Sequence, residues 1–316
     1  MKNESGNNIK IGIALGSGSA RGWAHIGVIR ALSEMGIKPE IVAGSSIGAL
    51  VGAAYASNQL DKLENWVVPL TWKDIFNVVD LSLVSGGLIQ GDKLLQFAHE
   101  QLSDPSIESL PRQFGAVATE LDTGREMWFR DGSLMEGVRA SIGLPGLFAP
   151  VKVKGRWLVD GGLANPVPVS LCRAMGADVV IAVNLNGDII GKHAHKRTEQ
   201  VDRRGVDVSA DGAFMDRISA QLKRSLYEGK ETLLSQLFGE NLKAPGLFEV
   251  LASSINIMQD RITRSRMAGD PPDVILTPQL SRLGLLEFDQ AALAIHEGHA
   301  CVQRMQPALE QALASL

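Results

Sequence analysis

Twice within its first sixty residues the chain breaks a short apolar run at a cluster of small residues, then resumes with apolar residues at helical spacing. Ile9 to Leu15 reads as a buried strand, G-S-G-S-A-R-G follows, and Trp23, Ile26, Ile29 and Leu32 continue as a helix ending near Gly36. Glu40 to Gly44 gives a second strand and Ile47 to Ala56 a second helix. Consecutive strand–helix units set their strands side by side in parallel, so an α/β fold on a mainly parallel sheet is predicted.

Later segments extend this pattern. F-G-A-V-A-T-E-L and E-M-W-F-R read as strands, Lys152 to Asp160 as a hairpin turning at Lys154 and Gly155, and Asp178 to Leu185 as an interior strand. Helices are predicted at Leu60 to Val68, Leu94 to Gln101, Met215 to Leu237 and Leu247 to Met267, with one long closing helix from Phe288. Residues 186 to 212 turn charged and polar, which predicts an exposed, mobile loop. The late strand Val274 to Thr277 is too short for a sheet of its own and is assigned to the main one. All 316 residues are therefore read as one domain, with a helical C-terminal part from 213.

Composition narrows the function. A formal charge of -4, from 35 acidic and 31 basic residues, leaves no footprint for nucleic acid. Cys172 and Cys301 are too few for a disulfide framework or a zinc cluster and fit a reducing compartment. The N-terminus is polar, and no run approaches the roughly eighteen apolar residues of a spanning helix. A cytoplasmic protein is expected, at most peripheral at the inner membrane surface.

Three glycine-rich junctions carry the candidate chemistry, and open α/β sheets gather such loops at the carboxyl edge of their strands. In V-A-G-S-S-I-G-A-L, Gly44 and Gly48 flank Ser46 at the spacing of a nucleophile elbow, where small neighbours let the backbone cross and push the serine oxygen outward. A plain loop whose serine caps the helix has the same residues. In G-S-G-S-A-R-G, residues 16 to 22, Arg21 replaces the third glycine of a dinucleotide fingerprint and the P-loop lysine is missing, so no cofactor is predicted. Backbone N–H groups at Gly16, Gly18, Ser19 and Gly22, with the charge of Arg21, suit a transient oxyanion; the plainer reading is a glycine-rich helix start. In D-G-G, Asp160 ends an apolar hairpin and is either a base for Ser46 or a turn former. None of the six histidines has a catalytic setting, and H-E-G-H at 296 to 299 departs from His-Glu-x-x-His, so no metal is predicted.

Taken together, G-S-G-S-A-R-G-W-A-H-I-G-V, A-G-S-S-I-G-A-L-V-G-A, A-S-I-G-L-P-G-L-F-A-P-V and L-V-D-G-G-L-A-N-P-V-P resemble the patatin-like phospholipase family in sequence and order, most of all its compact bacterial branch. The resemblance runs from about Ile9 to Val183, with a weaker match in R-M-A-G-D-P-P-D-V-I-L. It implies a three-layer α/β/α sandwich and a serine–aspartate dyad that cleaves lipid acyl esters without histidine. Carried over by motif, Ser46 is the nucleophile, Asp160 the base, and the 16 to 22 backbone the oxyanion hole, with Gly18 and Ser19 the foremost donors and Arg21 in support. Ser17 and Ser19 depart from the family, which often has glycine there.

The expected reaction is hydrolysis of a phospholipid or lysophospholipid ester through an acyl-enzyme, with the lipid and a membrane surface as partners. A carboxylate is a weak acceptor from serine, so the site should be partly desolvated. Leu144, Pro145, Leu147 and Phe148 are expected to line the substrate, with core packing as the alternative. Two further readings stay open: a Ser-His-Asp triad with a late histidine, and a catalytically silent lipid-binding or regulatory protein on the same scaffold.

Overall fold

The computed structural model describes residues 9–71, 104–145, 148–188 and 247–314. The opening units form where the apolar pattern places them: β1 (Ile11–Leu15), α1 (Ala24–Glu34), β2 (Ile41–Ser45) and α2 (Ile47–Ala56). A 3-10 turn, Ser19–Trp23, joins the first glycine loop to α1. Every residue of α2 is buried. A helix apolar on all sides must lie beneath others, and α2 packs among the sheet, α3 (Leu60–Val67) and α4 (Leu134–Ser141).

Among the described residues the sheet has eight strands. Hydrogen bonding runs from the hairpin β5 (Val151–Val153) and β6 (Arg156–Asp160) to β3 (Gln113–Glu120), then through β2 and β1 to β7 (Val179–Val183) and β8 (Val274–Leu276), with β4 (Glu126–Phe129) also on β3. The late strand β8 thus joins the main sheet, parallel to β7. The β5–β6 turn falls on Lys154 and Gly155, both at positive φ, as a two-residue hairpin loop requires. Alternate residues of β1 serve opposite layers. Ile13 and Leu15 join the core beneath α1 and α2, while Ala14 joins a second core with α5 (Val169–Ala174). Helices on both faces of a mostly parallel sheet make the expected α/β/α sandwich.

Strand register brings the candidate residues together. Val117 opposes both Ser45 of β2 and Trp128 of β4, and Thr119 opposes both Glu126 of β4 and Val159 of β6. A strand has only two edges, so β4 fills one while β2 and β6 share the other, end to end. Ser45 faces Val117 and Asp160 faces Ala118, which makes the two carboxyl ends meet.

Some expectations need correction. The closing helix is two helices, α7 (Ala291–Arg304) and α8 (Gln306–Ala314), because Pro307 has no N–H to bond a preceding turn and fits only in a first turn. Asn186 does not open an exposed loop: it is 2% exposed and bonds Gln259 of α6 (Leu247–Gly269). The rest of that loop from residue 189, and the helices expected at 94 to 101 and 215 to 237, lie outside the described residues. Helices α4 and α5 were not expected, being too short for periodicity to reveal. Where α1 crosses α7 the backbones touch: a Cβ on Gly298 would fall 1.9 Å from the carbonyl oxygen of Ala24.

Candidate active site

The chain turns sharply as β2 ends. Ser46 adopts φ 56° and ψ −127°, a conformation that a residue with a Cβ holds only under constraint. Gly44 and Gly48 permit it, since a Cβ on Gly44 would lie 2.5 Å from Ala49 Cα and one on Gly48 2.2 Å from the Leu15 carbonyl oxygen. The Ser46 N–H donates to Ser141 Oγ at 2.9 Å. Its hydroxyl makes no helix-cap bond and donates instead to Asp160 Oδ2 at 2.6 Å.

Asp160 is held at every polar atom. Its N–H donates to the Gly143 carbonyl at 3.0 Å and its own carbonyl accepts from Thr119 Oγ1 at 2.8 Å. Oδ2 accepts from Ser46, while Oδ1 accepts the N–H of Gly162 at 2.8 Å and so caps the 3-10 turn Gly161–Leu163. Turn former and partner of Ser46 are thus compatible roles, one for each oxygen. Ser46 is 7% exposed and Asp160 not at all. Burial pushes the Asp160 carboxyl up to about 6, against the opposing pull of the bonds from Ser46 and Gly162.

Ser141 and Gly143 escaped the sequence reading, in which their segment was either site lining or a rigid connector. They clamp Ser46 from one side and Asp160 from the other. The available signal was their small size beside two prolines, a mark of close backbone approach; a Cβ on Gly143 would lie 3.1 Å from Val159 Cα. Of the expected lining residues, Leu144 is half-buried, Pro145 is exposed, and Phe148 is buried in the main core as the packing alternative has it. Leu147 lies outside the described residues.

The first glycine loop packs directly on this turn, Gly22 against Ile47 and Gly16 against Gly48. Within it, the N–H of Gly16 donates to Val183 O at 3.1 Å, that of Ser17 to Pro166 O at 2.8 Å and that of Ala20 to Leu285 O at 3.1 Å. Among the described residues the Gly18 and Ser19 N–H groups donate to no backbone carbonyl, whereas Gly16, also expected as a donor, is engaged. Ser19 sits at φ 52°, where a glycine would be unstrained. Arg21 is buried, with its Nε donating to Leu283 O at 2.8 Å, so it ties the loop to the segment before α7. His25 is buried with Nε2 2.8 Å from Gly16 O; a carbonyl only accepts, so Nε2 carries the proton. Burial lowers the His25 pKa to about 4, against the raising effect of that bond. His299 bonds Glu34 at 2.8 Å, and His99, His193 and His195 lie outside the described residues.

A model of the patatin-like phospholipase family matches residues 13–173, more than half of the chain. An NTE family protein of Mycobacterium tuberculosis is 34% identical over 332 residues, covering 95% of this chain and 92% of that one. The chain belongs to the patatin-like phospholipase family. Patatin-like phospholipase domain-containing protein 6 of Homo sapiens is 35% identical over 182 residues, which cover 55% of this chain and 13% of that protein. Among solved structures, VipD from Legionella pneumophila aligns with a TM-score of 0.46 and 14% identity, covering 96% of this chain and 69% of that one. Patatin-like membership carries the enzyme class, a carboxylic ester hydrolase. The matched stretch contains Ser46 and Asp160 and ends before Asn186 and Gln259.

Proposed function

We propose that this patatin-like protein is a serine esterase that cleaves phospholipid or lysophospholipid esters through an acyl-enzyme on Ser46, with Asp160 as the base. The observation that carries this reading is the 2.6 Å hydrogen bond from Ser46 Oγ to Asp160 Oδ2 within a buried site. As Oγ attacks the ester carbonyl, Asp160 takes its proton and the carbonyl oxygen becomes anionic. The N–H groups of Gly18 and Ser19 hold that oxygen, each such donor being worth about 3 kcal/mol of barrier. Asp160 returns the proton to the departing alcohol, then activates a water that releases the fatty acid and restores Ser46. A carboxyl raised to about 6 is a better acceptor from serine than an ordinary one.

Peripheral contact with a bilayer belongs to the same reading, supported by exposed apolar residues on α6, among them Val250, Leu251, Ile257 and Met258. No helix among the described residues is long and apolar enough to cross a membrane.

Turnover of a short-chain nitrophenyl ester, a phospholipid and a lysophospholipid by the wild type and by Ser46→Ala and Asp160→Ala tests the proposal. Both substitutions are expected to lower kcat by about 10⁴-fold or more. Wild type and Ser46→Ala turning over at equal rates would leave the catalytically silent reading. Loss of activity in alanine variants of His193, His195, His296 or His299 would instead support a triad.

A further inference from the structure

Helix α6 turns polar side chains inward. It buries Gln259, Asp260 and Thr263 beside the apolar Ile255, and leaves Val250, Leu251, Ile257 and Met258 between 44% and 52% exposed. Burying an amide without a partner is unfavourable, so a helix turns glutamine inward only where something receives it. On one side Asn186 does so, its Nδ2 donating to Gln259 Oε1 at 3.0 Å with both side chains buried. That bond fixes the amide and turns Nε2, its donor end, the other way. There lies the turn after Asp160. A Cβ on Gly162 would be 2.5 Å from Gln259 Nε2, 2.8 Å from Ser17 Oγ and 3.0 Å from Asp160 Oδ1, so polar atoms from three distant parts of the chain gather over one glycine.

We infer that Gln259, oriented by Asn186, is a positioning residue for Asp160: its donor end rests on the Gly162 turn beside the carboxylate and keeps Asp160 in the rotamer that meets Ser46. The inference rests on the dyad proposed above. Both amides lie beyond residues 13–173, so chain outside the family's matched stretch completes the surroundings of the base. Oδ1 accepts the Gly162 N–H and has a second lone pair, and a donor dipole nearby favours the ionised form. Among the described residues, the charged groups on the elements packed around the turn are engaged elsewhere. Asp260 pairs with Arg264, Glu126 with Arg266 and Glu120 with Arg156; Arg139 bonds Ala149 O, and Arg21 and neutral His25 bond loop carbonyls. Glu136 and Arg261 face solvent. A charge introduced at position 259 therefore acts chiefly on Asp160.

The test uses the full chain and the pH dependence of nitrophenyl butyrate hydrolysis, with Ser46→Ala as the background control. Gln259→Glu is expected to move the acid limb of kcat/KM upward by about 1 pH unit or more, with activity recovering at higher pH. Gln259→Met, which keeps the volume and loses the donor, is expected to lower kcat about tenfold with KM within about twofold. An acid limb in Gln259→Glu within about 0.3 unit of wild type, whatever its melting temperature, would reduce Gln259 to a packing residue and overturn the inference. If Gln259→Glu does not fold, Gln259→Met decides: an unchanged kcat overturns the inference. Absence of any Ser46-dependent turnover in the wild type would strike the dyad first and leave position 259 nothing to support.

Discussion

The hydroxyl of Ser141 accepts the backbone N–H of Ser46 at 2.9 Å, so the turn that carries Ser46 is held by a helix that begins far along the chain. Ser141→Ala leaves that N–H buried and unpaired, a loss of about 1–3 kcal/mol in the strained turn. We expect kcat to fall about 10- to 100-fold with KM little changed, as steady-state kinetics on a soluble ester would read.

As the proposed base, Asp160 must be ionised to accept a proton, and burial holds its pKa near 6, so kcat/KM should decline below about pH 6. Stability has the opposite sign. The folded chain binds this proton more tightly than the unfolded chain does, so the contribution is present below about pH 4 and is lost as pH rises through about 6. Asp160→Asn removes the buried charge while keeping an acceptor for Gly162 N–H. It should be inactive, yet gain roughly 2–3 kcal/mol over wild type at pH 8, with little gain at pH 4, in paired urea melts.

His25 offers a contrast. It is neutral above about pH 4 and donates to Gly16 O at the start of the glycine loop, so it shapes the loop without exchanging protons at working pH. His25→Ala is expected to reduce kcat about tenfold while leaving the acid limb in place. A displaced limb in the pH profile would contradict this assignment.

The α1–α7 crossing depends on glycine at a backbone contact. Gly298→Ala sets a methyl group 1.9 Å from Ala24 O, and neither backbone can yield without parting the helices. We expect a loss of about 3 kcal/mol in chemical denaturation.

Much of the frame was legible in sequence. The two opening βα units, the hairpin turn at Lys154 and Gly155, and the elbow between Gly44 and Gly48 are local patterns, set by apolar period and by positions that exclude a Cβ. Pairing of Ser46 with Asp160 came only from the family resemblance, because strand register is non-local and nothing in either segment says that both abut β3. Ser141 could not be told from any helix-end serine. Gln259 and Asn186 were concealed by a sound rule, that amides sit at the surface, which fails where two amides satisfy each other in the interior.

Because β2 and β6 dock at successive positions of β3, that strand works as a ruler: Val117 and Ala118 fix how far apart the alcohol and the acid stand. One residue inserted between them would part the two by about 3.3 Å, beyond reach of a hydrogen bond, while every motif stayed intact. The calibration of this site is thus kept in a strand that contributes no reacting group, and scanning for motifs alone would pass a miscalibrated chain as sound.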